Sequence, residues 1–75
     1  MTKTLTVTEQ ISAFEAKRAA SAARMEDLMT KAADASTTLD ADESQEYDDL
    51  ANEVKQVDVH LKRLRDLEQV HKASA

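Results

Sequence analysis

A chain of 75 residues makes at most one small domain, and such a domain buries only about 60% of its unfolded surface, so a second stabilising device is expected. Without cysteine that device is neither a disulfide nor a thiolate metal site, and without glycine or proline the phosphate-cradling loops, dinucleotide fingerprints and glycine hairpin turns are excluded. Hydrophobic residues reach 41%, yet thirteen of them are alanine and only Phe14 and Tyr47 are aromatic; with 33% charged residues and a net charge of -5, this composition suits long helices that bury a narrow stripe.

Residues 1–6 show no apolar period and read as a frayed end that finishes in a cap. Thr6-Val7-Thr8-Glu9 is a capping box, in which the Thr6 hydroxyl accepts from the Glu9 N–H and Glu9 reaches back to the Thr6 N–H. Behind it Val7, Ile11, Phe14, Ala22, Met25, Leu28, Met29 and Ala32 form a stripe of mostly three- and four-residue steps, filled in with strong helix formers. The pattern predicts a first helix over 7–34, about 42 Å long.

Residues 35–40 are the predicted connection. Ser36, Thr37 and Thr38 compete for helix hydrogen bonds through their hydroxyls, which is the expected reason for the stop in the absence of glycine or proline. Asp40, followed three residues later by Glu43, is a second N-terminal box.

The second helix, expected over 41–72 and about 48 Å long, carries the clearest period. Tyr47, Val54 and Leu61 take the a positions of a heptad and Leu50, Val57 and Leu64 the d positions. The next two positions are Glu68 and His71, so the seam fades there, and residues 73–75 read as a frayed end. Acids crowd the start of this helix and bases its end, which complements the helix dipole. The whole net charge comes from residues 36–75, since residues 1–35 carry five acids and five bases.

A connection of about six residues joins antiparallel neighbours. Folding the chain about residues 37–38 pairs positions whose numbers add to about 75: Leu28 with Tyr47, Met25 with Leu50, Ala22 with Val54, Phe14 with Leu61 and Ile11 with Leu64. Arg18 falls opposite Val57, and its stem is expected to lie along the seam with its head turned to Glu15 or Asp58. The fold class is therefore all-α, an antiparallel two-helix hairpin or coiled coil. One seam must offset the ordering of some sixty residues, at about 1–2 kcal/mol each. The hairpin alone is marginal and is expected to self-associate into a helical bundle or dock on a partner. Ala16, Ala19, Ala20, Ala23, Met29, Val59, Leu67 and Val70 lie off the seam and are the expected oligomer contacts.

Other chemistries find little footing. Asp40 to Glu46 starts like a calcium loop, but its sixth position is Gln45 and its twelfth Ala51. His60 and His71 are eleven residues apart, too far to chelate one ion, and read as surface histidines. Ser12, Ser21, Ser36, Ser44 and Ser74 have no glycine elbow and no paired base, and the carboxylates cluster at a solvated helix start. No enzyme activity, metal, cofactor or small-molecule ligand is expected. A pI near 4.8 speaks against nucleic acid and anionic membrane as partners. No charge-free apolar stretch nears the roughly 20 residues of a membrane span, and Thr4 to Thr8 is too short and polar for a secretory signal core, so a soluble cytoplasmic protein is expected.

The run from Thr38-Leu39-Asp40-Ala41-Asp42-Glu43 through Tyr47-Asp48-Asp49-Leu50, followed by Glu53-Val54 and Leu61-Lys62-Arg63-Leu64, resembles the N-terminal segment of tailed-bacteriophage major capsid proteins of the Hong Kong ninety-seven type. Members of that family often have an Ala/Arg/Glu-rich helix, a Leu-Thr/Ser-x-Glu-Glu turn, an aromatic-Asp pair and a Leu/Ile heptad helix; the resemblance covers roughly residues 11–68, with Asp40 standing where Ser or Thr is common. It implies a delta domain, an internal scaffold fused ahead of a shell domain that these residues do not include. Such a segment directs procapsid assembly by helix association among capsid subunits inside the immature shell, in the cytoplasm of the bacterial host, and is removed by a maturation protease. Two readings of other classes stand beside it: a small cytoplasmic coiled-coil adaptor or chaperone that clamps a partner helix, and an all-helical oligomeric enzyme.

Overall fold

The computed structural model describes residues 5–73. Of the frayed ends expected from the sequence, residues 1–4 and 74–75 lie outside this range; Leu5 and Thr6 are non-helical.

Helix α1 spans Val7–Asp34 and starts at the Thr6 box. Thr6 is extended; its Oγ1 accepts from the Glu9 N–H at 3.1 Å, and its own N–H donates to Glu9 Oε1 at 3.2 Å. Two of the four orphan donors at the helix start are thereby satisfied. Helix α2 spans Ala41–Ala73, one residue past the predicted end, and repeats the device: Asp40 Oδ1 accepts from the Glu43 N–H at 2.8 Å and the Asp40 N–H donates to Glu43 Oε1 at 3.2 Å. Asp42 and Glu43 in its first turn and His71 and Lys72 in its last oppose the helix dipole.

The stop between the helices has a different cause from the one the serine and threonine run suggests. Ala35 is the C-cap, and Ser36 follows with φ of 55°, in the left-handed region. This turns the next two N–H groups back onto the helix: Ser36 N–H donates to the Ala33 carbonyl at 3.0 Å and Thr37 N–H to the Ala32 carbonyl at 2.9 Å. That is the Schellman closure, with serine at the position usually held by glycine. Main-chain donors end α1, in place of the expected hydroxyls.

The two helices pack on each other as an antiparallel hairpin, with no strand among the described residues. The molecule measures 55 × 29 × 17 Å, and its radius of gyration is 16.8 Å against about 11 Å for a compact domain of this length. It is a rod with one seam. Cross-helix contacts fix the register: Thr8 with Glu68, Phe14 with His60, Arg18 with Asp58 and Lys31 with Glu43 each fall within one residue of the pairing that adds to 75.

Along the seam Leu28 and Leu61 are the most deeply buried side chains, at 2% exposure, joined by Val57, Leu64, Ala32 and Ser21. Ile11, Phe14, Ala22, Met25, Tyr47, Leu50 and Val54 are half-buried. Ser21, which the sequence reading leaves off the seam, is buried beside the half-buried Ala22. Counted strictly by sevens, Val7, Phe14, Ser21 and Leu28 form one row of α1 and Ile11, Arg18, Met25 and Ala32 the other. Ser21 is the member that faces inward, and Ala22 sits on its flank. His60 also departs from the surface role expected of it: it is half-buried, with its ring edge-on to Phe14 at a centroid distance of 4.6 Å.

Candidate functional site

What the hairpin offers is its outer surface, which the seam divides into two edges and two backs. In an antiparallel pair the positions flanking the core meet their own kind across the seam, and here they carry charge. On one edge Lys17 pairs with Glu53 at 3.3 Å and Arg24 with Glu46 at 2.6 and 3.0 Å; near the turn Lys31 reaches Glu43 at 3.2 Å. On the other edge Glu15 pairs with Arg65 at 3.2 Å, and Arg18 forks onto Asp58 at 2.5 and 3.3 Å. Of the two acids expected for Arg18, Asp58 takes it and Glu15 goes to Arg65.

Both forked pairs leave an electrostatic mark. The hydrogen bond from Arg18, and then its charge, holds the Asp58 carboxyl below its ordinary value, with burial opposing. Arg24 does the same to Glu46, again chiefly through the hydrogen bond. The guanidiniums are raised in return by the same bonds. These side chains are roughly half-exposed, from 41% to 50%, so the pairs set register and orientation more than they add stability.

Glu43 has two tasks. Its Oε1 closes the cap box on Asp40 while its Oε2 meets Lys31 of α1, so the start of α2 is tied to the end of α1. At the other end of the rod the seam finishes in a polar contact, where the Thr8 hydroxyl donates to Glu68 at 3.0 Å.

The residues expected off the seam are all exposed: Ala16, Ala19, Ala20, Ala23, Met29, Val59, Leu67 and Val70. The large ones are uncovered to a degree that matters, 51% for Met29, 50% for Val59, 42% for Leu67 and 58% for Val70. Two grooves accompany them. One, of about 590 Å³, lies at the open end and is lined by Leu5, Val7, His71 and Lys72 among others. The second, of about 530 Å³, lies under the turn between Met29, Ala33, Thr37, Leu39 and Ser44. Both are mainly apolar and lie at the ends of the rod.

Among the described residues no group of three metal-ligating side chains converges, and no helix is long and apolar enough to cross a membrane. His60 is engaged with Phe14, and His71 lines the open-end groove. Compared with protein families, curated proteins and solved structures, the chain finds no match. The arrangement offers association chemistry: half-exposed apolar side chains, small-residue helix backs and ordered charge.

Proposed function

We propose that the hairpin is a helical association module, working as an internal scaffold of the kind its sequence resembles, the delta domain of a phage major capsid protein. One observation carries the association part. The two helices share a single seam, while Met29, Val59, Leu67 and Val70 remain about half-exposed on the outside. A rod with six buried residues among those described has little to set against chain entropy, and covering its outer apolar side chains by further copies is the direct remedy. The exposed alanines of α1 let another helix approach closely.

The narrower role rests on the sequence resemblance. In it the hairpin precedes a capsid shell domain, brings capsid subunits together inside the immature shell and is then cut away by a maturation protease. Weak, polar-edged helix contacts suit that role, since scaffold contacts must form and later release.

Sedimentation equilibrium of the 75-residue chain from about 1 μM to about 1 mM, with helicity followed in parallel, tests the association. The expected result is a mass and a helicity that rise together with concentration. A monomer that is fully helical at the lowest concentration would overturn it. For the scaffold role, the test is the coding frame: continuation beyond Ala75 into a shell domain next to a protease gene supports it, and a frame without them removes it.

A further inference from the structure

Among the described residues, five cross-helix ion pairs take up charges on the edges of the seam and leave a second, ordered set on the back of α2. Asp42, Asp48, Lys55 and Arg63 are all exposed, and none has an ion-pair partner among the described residues. They are also segregated. The acids lie in the first turns of the helix and the bases one and three heptads further on, in two rows: Asp48 and Lys55 in one, Asp42 and Arg63 in the other, with Gln45, Asn52 and Val59 running between.

We infer that a second copy of this chain docks antiparallel along the back of α2, with the two-fold axis at Asn52. This rests on the association reading above and supplies its direction. In an antiparallel pair like rows face each other. With Asn52 opposite itself, Asp48 meets Lys55 of the second copy and Asp42 meets its Arg63, each within one residue rise, about 1.5 Å, of level. Val59, the large exposed apolar side chain of this face, lies against Gln45 of the second copy. The two-fold repeats every pair, so four ion pairs form from four positions of the chain. A parallel copy in register brings unlike rows together, setting Asp49 against Asp48 and Arg63 against Lys62, like charge on like.

The charge of the whole rod favours the same direction. Residues 22–53, the half nearest the turn, hold ten acids and two bases, net -8; the remaining residues hold five acids and eight bases, net +3. Antiparallel copies lay the acidic half of one beside the basic half of the other, and parallel copies stack the acidic halves. An isologous two-fold contact also closes on itself, so this face yields a discrete dimer.

The experiment is a set of charge reversals on the full chain, read by sedimentation equilibrium at about 50 mM salt, with circular dichroism to confirm that each variant remains helical. Asp48→Lys and Lys55→Glu each break two pairs and create like-charge contacts, and each weakens dimerisation about tenfold. The double variant restores the pairs with reversed sign and returns to within about threefold of the parent. Because the chain lacks cysteine, mixing a Gln45→Cys with a Val59→Cys protein gives an independent readout. The mixed disulfide is expected to exceed either homodimeric one. A stronger dimer from Asp48→Lys alone would show parallel packing, and unchanged association in both single variants would place the contact on another face; each overturns the proposal and leaves self-association standing. A parent chain monomeric at every concentration overturns both.

Discussion

The two ends of the hairpin use the same materials to different effect. At the turn, α1 stops in a Schellman closure, α2 starts on the Asp40 box, and Glu43 ties the two through Lys31 while Leu28 and Ala32 are buried just behind. At the open end α1 also starts on a capping box, yet the seam ends in Thr8 and Glu68, and Leu5, Leu67 and Val70 are left 42–58% exposed. Apolar residues are present at both ends; past Leu64 the large ones of α2, Leu67 and Val70, lie off the seam. Local helix signals are therefore equal at the two ends, and the buried side chains run from Leu28 and Ala32 near the turn to Leu61 and Leu64 towards the open end, giving out only beyond Leu64.

The sharpest way to break this comparison is to remove one aliphatic side chain from each end. Leu28→Ala deletes a fully buried side chain and is expected to cost about 2–5 kcal/mol, enough to unfold a marginal hairpin at low concentration. Leu67→Ala, made where the side chain is 42% exposed, should cost less than about 1 kcal/mol within the monomer. Urea titration at fixed protein concentration checks both; equal losses would show that burial in the seam does not set the cost.

A smaller effect separates the two caps, which are chemically alike. Asp40→Ala removes the acceptor for the Glu43 N–H and is expected to cost about 1 kcal/mol, because releasing the first turn of α2 also loosens Glu43 from Lys31. Thr6→Ala lets only the exposed start of α1 fray, and its cost should stay below about 0.5 kcal/mol. Melting temperatures measured at one concentration order the pair, and hydrogen exchange locates the loss in each.

Both helix starts were legible because a capping box is local, written in four consecutive residues. The register was legible because α2 keeps a heptad of large side chains from Tyr47 to Leu64. What escaped shares one feature, dependence on a neighbour. Ser21 is buried by its place in a seven-residue count, but a serine among alanines gives no hydrophobic signal, and the apolar Ala22 beside it drew the pairing. His60 is seated by Phe14 across the seam. The edge partners, Arg24 with Glu46 and Lys17 with Glu53, follow from which side of each helix meets the other, and that is set only once the rods cross. The helix stop falls where the serine and threonine run puts it but has a different cause, since a chain without glycine hides the usual sign of a left-handed residue.

That residue gives a further way to sharpen the turn end. Ser36 pays the steric penalty of φ at 55°, where a Cβ crowds the backbone, and glycine does not. Ser36→Gly should stabilise the hairpin by about 0.5–1 kcal/mol, the relief being partly offset by the greater freedom glycine gives the unfolded chain. Ser36→Val should destabilise it by a comparable amount. If glycine lowers the melting temperature, the left-handed turn is not the state that limits stability.

The smallest expected effect comes from acid, and it divides the rod by its forked pairs. Asp58, in the half nearer the open end, and Glu46, in the half nearer the turn, both have carboxyls held below their ordinary values, first by a hydrogen bond from arginine. A group depressed in the folded state stabilises it fully above its unfolded value, and that contribution is lost as pH falls through the folded value. Both pairs are therefore intact at neutral pH and weaken only once the solution is more acidic than an ordinary carboxylate's midpoint. Asp58→Asn and Glu46→Gln should each lower the melting temperature slightly at pH 7 and converge on the parent in strong acid, where the parent's own carboxylates are protonated. Losses that do not vary with pH would mean that the forks steer register alone.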